Sequence, residues 1–282
     1  MSTLAAIQMN SGGDLAANLD RASNLLQRAA STGAGLVVLP ENFACMPEHM
    51  ANRRSAAEAD GCGPVQEFIS SEAKRLQLWI VGGTIPVRGA DPDRPFSSSY
   101  VFDHDGNCVG RYDKAHLFDV EIPDRDEIYQ ESAFTQPGTA ALVVESPWGR
   151  LGVAVCYDLR FPELFRQMSF TGVDIVAVPS AFTVLTGQAH WKTLLRARAV
   201  ENLCYVVAAG QTGRHPGERE TYGHSMIVGP WGQVLNDAGN SAGVITADFD
   251  RAGLNELRHR FPVLAHRHDL ERWPDNANRK SH

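Results

Sequence analysis

The sequence predicts an α/β fold in which a mixed β-sheet carries helices on its outer side. Short apolar runs of strand length alternate with segments that have helical spacing. Some runs are apolar throughout, as at residues 35–40, which is typical of strands that are buried on both faces. Turn-forming residues also separate two pairs of strands, so the sheet is expected to contain antiparallel hairpins as well.

The first half of the chain alternates strands and helices before it reaches a hairpin. Leu19, Leu25 and Leu26 form the apolar stripe of the first helix, which ends near Gly33. Residues 103–107 form a strong turn signal between two strands. The predicted elements are a strand at 4–9, a helix at 15–32, a strand at 35–40, a helix at 63–76 and strands at 78–83, 98–102 and 108–112.

The second half continues the same alternation. Pro162 stands where a helix can start, and Gly172 stands where that helix can stop. Residues 230–232 mark a second hairpin. The predicted elements are a strand at 151–155, a helix at 162–172, a strand at 174–178, a helix at 190–202, strands at 204–209, 224–228, 233–236 and 243–248, and a short helix near 254–260.

A faint internal repeat links the two halves. Residues 35–40 and 174–179 are both apolar strands that end in proline, and each is followed by polar or small residues. Two similar halves, each a sheet with helices on one face, could therefore stack sheet on sheet.

Composition excludes several classes of protein. The net charge of −7 and the pI of about 5.8 do not indicate a nucleic-acid partner, which would favour a clustered basic face. The N-terminal segment lacks the basic and long apolar regions of a signal peptide, and no apolar run is long enough to span a membrane. Five cysteines without a CxxC pair indicate free thiols in a reducing cytoplasm.

Three chemically useful side chains directly follow predicted strands. Glu41, Lys114 and Cys156 come after the strand segments at 36–40, 109–113 and 151–155, respectively. Sites in open α/β sheets form outside the carboxyl ends of the strands. The three side chains would therefore share one edge if these strands run parallel, which the sequence alone does not show.

Cys156 lies between an apolar strand and a helix that opens at residues 161–163. A sharp strand-to-helix turn exposes a side chain as in a nucleophile elbow, and the helix N-terminus would favour the thiolate. The backbone N–H of Tyr157 could stabilise an oxyanion. The alternative is a small buried apolar side chain, the usual role of a free cysteine, and the other four cysteines keep that interpretation.

Glu41 and Lys114 have both chemical and ordinary interpretations. Partial desolvation would raise the pKa of Glu41 and suit a general base, whereas the alternative is an ordinary loop carboxylate. A buried Lys114 would place positive charge where a tetrahedral intermediate is negative, whereas most lysines are solvated. The remaining candidates, His259, His266 and His268, stand among arginines and indicate a solvated basic tail rather than a metal site.

Taken together, three segments resemble the motifs of the nitrilase, or carbon–nitrogen hydrolase, superfamily. Residues 39–42 (LPEN) are similar to its glutamate motif, and residues 111–116 (RYDKAH) are similar to its lysine motif. Residues 152–163 (GVAVCYDLRFPE) are similar to its cysteine motif. The order and spacing of the segments also match, which favours the chemical interpretations over the ordinary ones.

The resemblance covers nearly the whole chain, from residues 6–8 to residues 261–262. It implies a four-layer α-β-β-α sandwich. A single domain is therefore expected over residues 1–282, with a core of about 3–262 and a C-terminal tail of about 263–282.

The same resemblance implies a thiol-dependent amidase with a catalytic triad of Glu41, Lys114 and Cys156. It also implies a second active-site glutamate after the lysine motif, and Glu131 matches that position. Glu131 would orient Lys114 and help to position the leaving group or the water. Members of the superfamily commonly pair through their outer helices, so a homodimer is expected, and no cofactor and no metal are implied.

Within the superfamily the chain looks most similar to the Nit branch. That branch implies a small-molecule substrate with an α-keto-acid end, either deaminated glutathione or α-ketoglutaramate, the substrate of an ω-amidase. A catalytically inactive scaffold is a third possibility, against which the intact motifs argue. The stretches similar to the branch are residues 116–123, 179–183 and 186–191, and those that favour deaminated glutathione are 196–199, 204–215 and 222–226.

An α-keto-acid end presents a carboxylate, which needs a fixed cation or hydrogen-bond donors. Arg160, four residues after Cys156, is the first candidate for that cation. Its alternative role is a salt bridge to Asp158 or Glu163. Further substrate contacts are expected from Tyr157, Phe182, Thr183 and Thr186.

Overall fold

The structure, a computed structural model, describes residues 2–122 and 128–268. Two β-sheets pack face to face, and helices cover the outer side of each. The predicted α/β class and the four-layer α-β-β-α arrangement are therefore confirmed. Most of the predicted tail, residues 269–282, lies outside the described residues, as do residues 123–127.

The strands fall into two large sheets and two short ribbons. Their bounds are β1 Ser2–Gln8, β2 Ala34–Val38, β3 Trp79–Val81, β4 Ile85–Val87, β5 Phe96–Phe102, β6 Cys108–Asp113, β7 Asp119–Glu121, β8 Ile128–Gln130, β9 Leu142–Ser146, β10 Gly149–Val153, β11 Ile175–Ser180, β12 Tyr205–Gly210, β13 Thr212–Arg214, β14 Glu220–Tyr222, β15 Met226–Val228, β16 Val234–Asp237 and β17 Gly243–Phe249. The order in the first sheet is β17-β1-β2-β3-β5-β4 with β6 beside β5, and the order in the second is β16-β15-β12-β11-β10-β9.

The helices flank these sheets. Their bounds are α1 Leu15–Ser31, α2 Pro64–Leu76, α3 Pro162–Phe170, α4 Val184–Thr186, α5 Lys192–Asn202 and α6 Arg251–Arg260, and a π-helical turn at Gly187–Trp191 joins α4 to α5. Shorter 3₁₀ turns lie at Met50–Arg53, Glu131–Ala133, Cys156–Arg160 and Pro216–Glu218.

Strand β1 shows why the layers stack in this way. Leu4 and Ala6 point into the core between the two sheets, whereas Ala5 and Ile7 point into the core beneath α1 and α2. Successive strand residues face opposite sides, so an apolar run with no polar face must be covered on both. The second sheet is covered by α3 and α5 in the same way, through residues such as Phe165.

The strands that precede Glu41, Lys114 and Cys156 run in one direction. Strand β2 is parallel to β3, and β6 has the same direction because both β3 and β6 are antiparallel to β5. Strands β10, β11 and β12 are mutually parallel in the second sheet. A parallel bridge between Met9 and Gln211 links the end of β1 to the end of β12. The carboxyl ends of both sheets therefore lie at one edge of the molecule.

Local signals set the helix boundaries. The carboxylate of Asp14 accepts a hydrogen bond from the N–H of Ala17 (3.1 Å) and caps α1, and Pro64 and Pro162 begin α2 and α3. Gly172, at φ 78°, follows the end of α3 in a conformation that glycine adopts without steric cost. The last strand, β17, pairs antiparallel with β1 and forms one edge of the first sheet.

Candidate active site

A cavity of about 840 Å³ opens at the shared carboxyl edge of the two sheets. Strand ends and loops from both sheets form its walls, as ligand sites in α/β folds do. All nine candidate residues line it, namely Glu41, Lys114, Glu131, Cys156, Tyr157, Arg160, Phe182, Thr183 and Thr186.

Lys114 lies at the centre of a buried charge cluster. Its Nζ is 2.9 Å from Oε1 of Glu41 and 2.8 Å from Oε2 of Glu131. The same Glu131 oxygen accepts a hydrogen bond from the N–H of Phe118 (2.8 Å). Lys114 is 2% exposed, and the two glutamates are 4% and 8% exposed. The three charged groups are thus held together in a site from which water is largely excluded.

The prediction that burial raises the pKa of Glu41 is wrong. Burial does act in that direction, but the charge of Lys114 and its hydrogen bond outweigh it, and the pKa lies below its usual value. The pKa of Lys114 is raised because Glu131 and Glu41 outweigh the effect of its own burial. Glu41 is therefore ionised at neutral pH and can accept a proton.

Cys156 occupies a strained turn between β10 and α3. Its backbone has φ 48°, a conformation that costs a residue with a Cβ about 1–2 kcal/mol. The thiol hydrogen-bonds with Glu41, and the backbone N–H of Ala181 points at the sulfur. This geometry matches the sharp turn of a nucleophile elbow.

The prediction that the helix N-terminus favours the thiolate of Cys156 is wrong for the resting protein. Burial and the charge of Glu41 raise the pKa of the thiol well above its usual value, and Lys114 only partly opposes them. Cys156 begins a single 3₁₀ turn, and α3 starts only at Pro162, beyond the first-turn range of a helix dipole. The resting pair is thus a neutral thiol beside an ionised Glu41.

Asp158 fixes the cysteine turn to the lysine segment. It is fully buried, and its Oδ2 accepts hydrogen bonds from the N–H of Val155 (2.8 Å) and the hydroxyl of Tyr112 (2.7 Å). Its Oδ1 accepts one from the N–H of His116 (3.0 Å). Because Tyr112 and His116 flank Lys114, a single carboxylate sets the distance between Cys156 and Lys114.

Arg160 does not form the predicted alternative salt bridge to Asp158 or Glu163. The Asp158 oxygens are used by other donors, and Nη1 of Arg160 is instead 3.2 Å from Nδ1 of His190. The guanidinium carbon lies 5.6 Å from the ring centroid of Phe182, on the cavity wall. Arg160 therefore lines the cavity with a positive charge that no carboxylate of residues 2–122 or 128–268 pairs with.

The two threonines follow Phe182 on the cavity wall. The hydroxyls of Thr183 and Thr186 are 2.8 Å apart at the start of α4, which leads into the π-helical turn. Such π-turns often occur at functional sites because they redirect side chains.

Two further arginines near the charge cluster were not predicted. Arg53 is buried, its charge acts on both Glu131 and Glu41, and its Nη1 donates to Oδ1 of Asn42 (2.9 Å). Arg219 lines the cavity from the loop between β13 and β14, and its Nη2 donates to the carbonyl of Ala181 (3.0 Å). Both come from 3₁₀ turns or loops that have no periodic pattern, so no sequence signal could place them.

A family model described as carbon–nitrogen hydrolase matches residues 3–259. The chain is 41% identical over 266 residues to the deaminated glutathione amidase of Yersinia enterocolitica, a match that covers 94% of this chain and 92% of that protein. These similarities extend across both sheets and every wall of the cavity.

Solved structures show the same fold. The Caenorhabditis elegans NitFhit protein superposes with a TM-score of 0.87 at 39% identity; the match covers 94% of this chain and 65% of that one. Saccharomyces cerevisiae Nit3, described as a member of branch 10 of the nitrilase superfamily, superposes with a TM-score of 0.84 at 32% identity, over 93% of this chain and 94% of that one.

Proposed function

Because the chain belongs to the carbon–nitrogen hydrolase family and is an amide-hydrolysing enzyme, we propose that it hydrolyses the amide bond of deaminated glutathione with Cys156 as the nucleophile. The observation that carries the proposal is the buried contact of the Cys156 thiol with ionised Glu41, beside Lys114. A thiol is activated by an adjacent base in such an arrangement.

In the first half of the reaction, Sγ of Cys156 attacks the amide carbon while its proton passes to Glu41. The carbonyl oxygen becomes an oxyanion, which Lys114 and the backbone N–H of Tyr157 stabilise. The three donors of the ammonium group serve Glu41, Glu131 and the oxyanion. Glu41 then gives the proton to the leaving nitrogen, the carbon–nitrogen bond breaks, and a thioester on Cys156 remains.

In the second half, Glu41 takes a proton from water, and the resulting hydroxide attacks the thioester carbon. The carbon–sulfur bond breaks, the thiolate regains the proton from Glu41, and the keto acid is released. Glu131 keeps Lys114 directed at the oxyanion through its contact of 2.8 Å and helps to position the amine or the water. One base thus serves both half-reactions, which a pKa below neutrality permits.

Deaminated glutathione is favoured over α-ketoglutaramate by two considerations. The Yersinia enterocolitica relative carries the name deaminated glutathione amidase. The cavity volume of about 840 Å³ is also large for α-ketoglutaramate, the smaller of the two amides. α-Ketoglutaramate remains the second candidate because it has the same acyl part.

The test is to measure kcat/KM of the purified protein for deaminated glutathione and for α-ketoglutaramate in parallel. We expect a higher value for deaminated glutathione. A higher value for α-ketoglutaramate would assign the ω-amidase activity instead, and no release of amine or ammonia from either substrate would indicate a scaffold.

Arg160→Lys is expected to lower kcat/KM for deaminated glutathione. The loss should correspond to roughly 2–4 kcal/mol of transition-state stabilisation, because lysine cannot reproduce a bidentate contact with the keto-acid carboxylate. The loss should be smaller for an analogue whose keto-acid carboxylate is replaced by a neutral amide. Steady-state kinetics on both compounds provide the measurement.

The melting temperature separates this role from a structural one. If Arg160 only braces its turn, both compounds should suffer equally and the melting temperature should fall. Equal losses would remove Arg160 from the substrate site and make Thr183 and Thr186 the leading carboxylate ligands.

We also infer a single catalytic domain of about residues 3–262 that forms a homodimer in the cytoplasm. An exposed apolar surface supports pairing: it includes Val200 on the outer helix α5, Trp231 and Phe261.

All five cysteines are free, as expected in a reducing compartment, and within the described residues no helix has the length and apolar character needed to cross a bilayer. A monomeric mass by light scattering, or export to an oxidising compartment, would contradict these inferences.

A further inference from the structure

We propose that Arg219 binds the second carboxylate of the substrate, the one at the glycine end of the leaving dipeptide, so that the cavity selects a dianion. The inference rests on the proposed hydrolysis of deaminated glutathione, which carries one carboxylate at its keto-acid end and another at its glycine end. α-Ketoglutaramate has only the first.

Arg219 is held in place but retains donors that the protein does not use. Its Nη2 donates to the carbonyl of Ala181 (3.0 Å), and its guanidinium carbon lies 5.9 Å from the ring centroid of Tyr129. Within the described residues, its Nε is buried and has no hydrogen-bond partner. The placement of this guanidinium therefore leaves a donor that the described residues do not satisfy.

The charges around the cavity leave two arginines uncompensated. Glu41 and Glu131 are balanced by Lys114 and by the buried Arg53, whose charge acts on both glutamates. In the described part of the chain, Arg160 and Arg219 have no carboxylate within ion-pair distance. The other cavity carboxylates, Glu48, Glu218 and Glu220, are exposed, where solvent and salt screen their charge.

A row of aromatic rings on the cavity wall separates the two arginines. The guanidinium carbon of Arg160 lies 5.9 Å from the ring centroid of Tyr157, and Arg219 stands at the same distance from Tyr129. Between them, the Phe118 ring lies 5.1 Å from Tyr157 and 5.0 Å from Tyr129, centroid to centroid. The contacts along this row place apolar rings between two cationic side chains, which suits an elongated substrate with two anionic ends.

Arg219 is at the end where the leaving group should lie. Its partner Tyr129 stands two residues before Glu131, and its charge acts on Glu41, the group that protonates the amine. Arg160, by contrast, shares a 3₁₀ turn with Cys156, which retains the acyl part. The leaving dipeptide has two residues, and an extended chain of that length reaches at most about 7 Å beyond the scissile nitrogen.

The test compares deaminated glutathione with its C-terminal amide, in which the glycine carboxylate is neutral. The wild-type protein should prefer the acid by about 10- to 100-fold in kcat/KM, the value of a charge-assisted contact. In Arg219→Gln most of that preference should vanish. The kcat/KM for the acid should fall by about 10- to 100-fold, whereas the kcat/KM for the amide should fall much less. Arg219→Lys should keep part of the preference, since it keeps the charge without the fork.

Arg214→Gln is the matched control. Arg214 is on the facing strand β13, its side chain is 86% exposed, and it pairs with Glu220 at the surface. This variant should keep the wild-type preference for the acid.

Equal losses of Arg219→Gln on acid and amide would overturn the proposal and leave Arg219 as a group that acts through Glu41 or Ala181. An unchanged preference would overturn it as well. If kcat/KM fell more for α-ketoglutaramate than for deaminated glutathione, Arg219 would bind the keto-acid carboxylate instead, contrary to the proposal. Failure of the proposed function would be recognised from a different result. The wild-type protein would then not hydrolyse deaminated glutathione, and the inference about Arg219 would fall as well.

Discussion

Cys156→Ala is expected to abolish amide hydrolysis, with a loss on the order of 10⁴-fold or more in kcat, while the fold is retained. Among the described residues that line the cavity, Cys156 alone carries the thiol that the proposed thioester requires, and its removal takes away little volume. Strain at φ 48° is also the same for alanine as for cysteine. Amine release from deaminated glutathione measures the first expectation, and the melting temperature measures the second.

Two further variants make the result specific. Cys156→Ser should be nearly inactive, because Glu41 cannot readily ionise an alcohol. Cys204→Ala is the control. Cys204 is buried as well, and burial raises the pKa of its thiol to about 12, but it lies next to β12 and does not line the cavity. Activity in Cys156→Ala above a tenth of the wild-type value would show that another residue is the nucleophile.

The fold could be predicted wherever an element was long and had a regular pattern. The apolar strands β2, β11 and β12, the helices α1 to α3 and the hairpin of β5 with β6 all lie near their predicted positions. The strands β4, β7, β8, β9, β13 and β14 were missed. All of these except β9 have three residues, a length too short to carry a period. Their pairing is decided by tertiary contacts, such as the ladder between Thr212 and Tyr222.

The site could be predicted in position but not in electrostatics. Residues that follow strands are placed by the fold, and so Glu41, Lys114 and Cys156 converge as expected. The pKa directions of Glu41 and Cys156 were wrong, because each depends on contacts between residues far apart in the chain. Burial alone would raise the pKa of Glu41, and the ion pair with Lys114, 73 residues away, is the main interaction that reverses the direction.

Lys114→Ala and Glu41→Gln are each expected to lower kcat by at least about 100-fold, the value of losing an oxyanion donor or a general base. The two losses should not add in the double variant, because both groups act on the same proton transfer and the same intermediate. Glu48→Gln is the control: Glu48 also lines the cavity but is exposed, so its kcat should stay within about twofold of wild type. A single variant that keeps a tenth of the wild-type kcat would exclude its residue from the proposed triad.

The stability of Lys114→Ala provides a second test, and its sign follows from the charges. In the wild-type protein the pKa of Glu41 is depressed, so its stabilising contribution is present above the unfolded pKa and is lost as the pH falls through the folded pKa. Without Lys114, two buried carboxylates lose their shared cation, which should cost about 3–5 kcal/mol near neutrality. Burial then raises at least one carboxyl pKa above its unfolded value, so the folded variant binds the extra proton. Its melting temperature should therefore rise on acidification towards about pH 5, whereas that of the wild type should not. A variant whose melting temperature falls in parallel with wild type would show that Lys114 does not hold Glu41 in its ionised form.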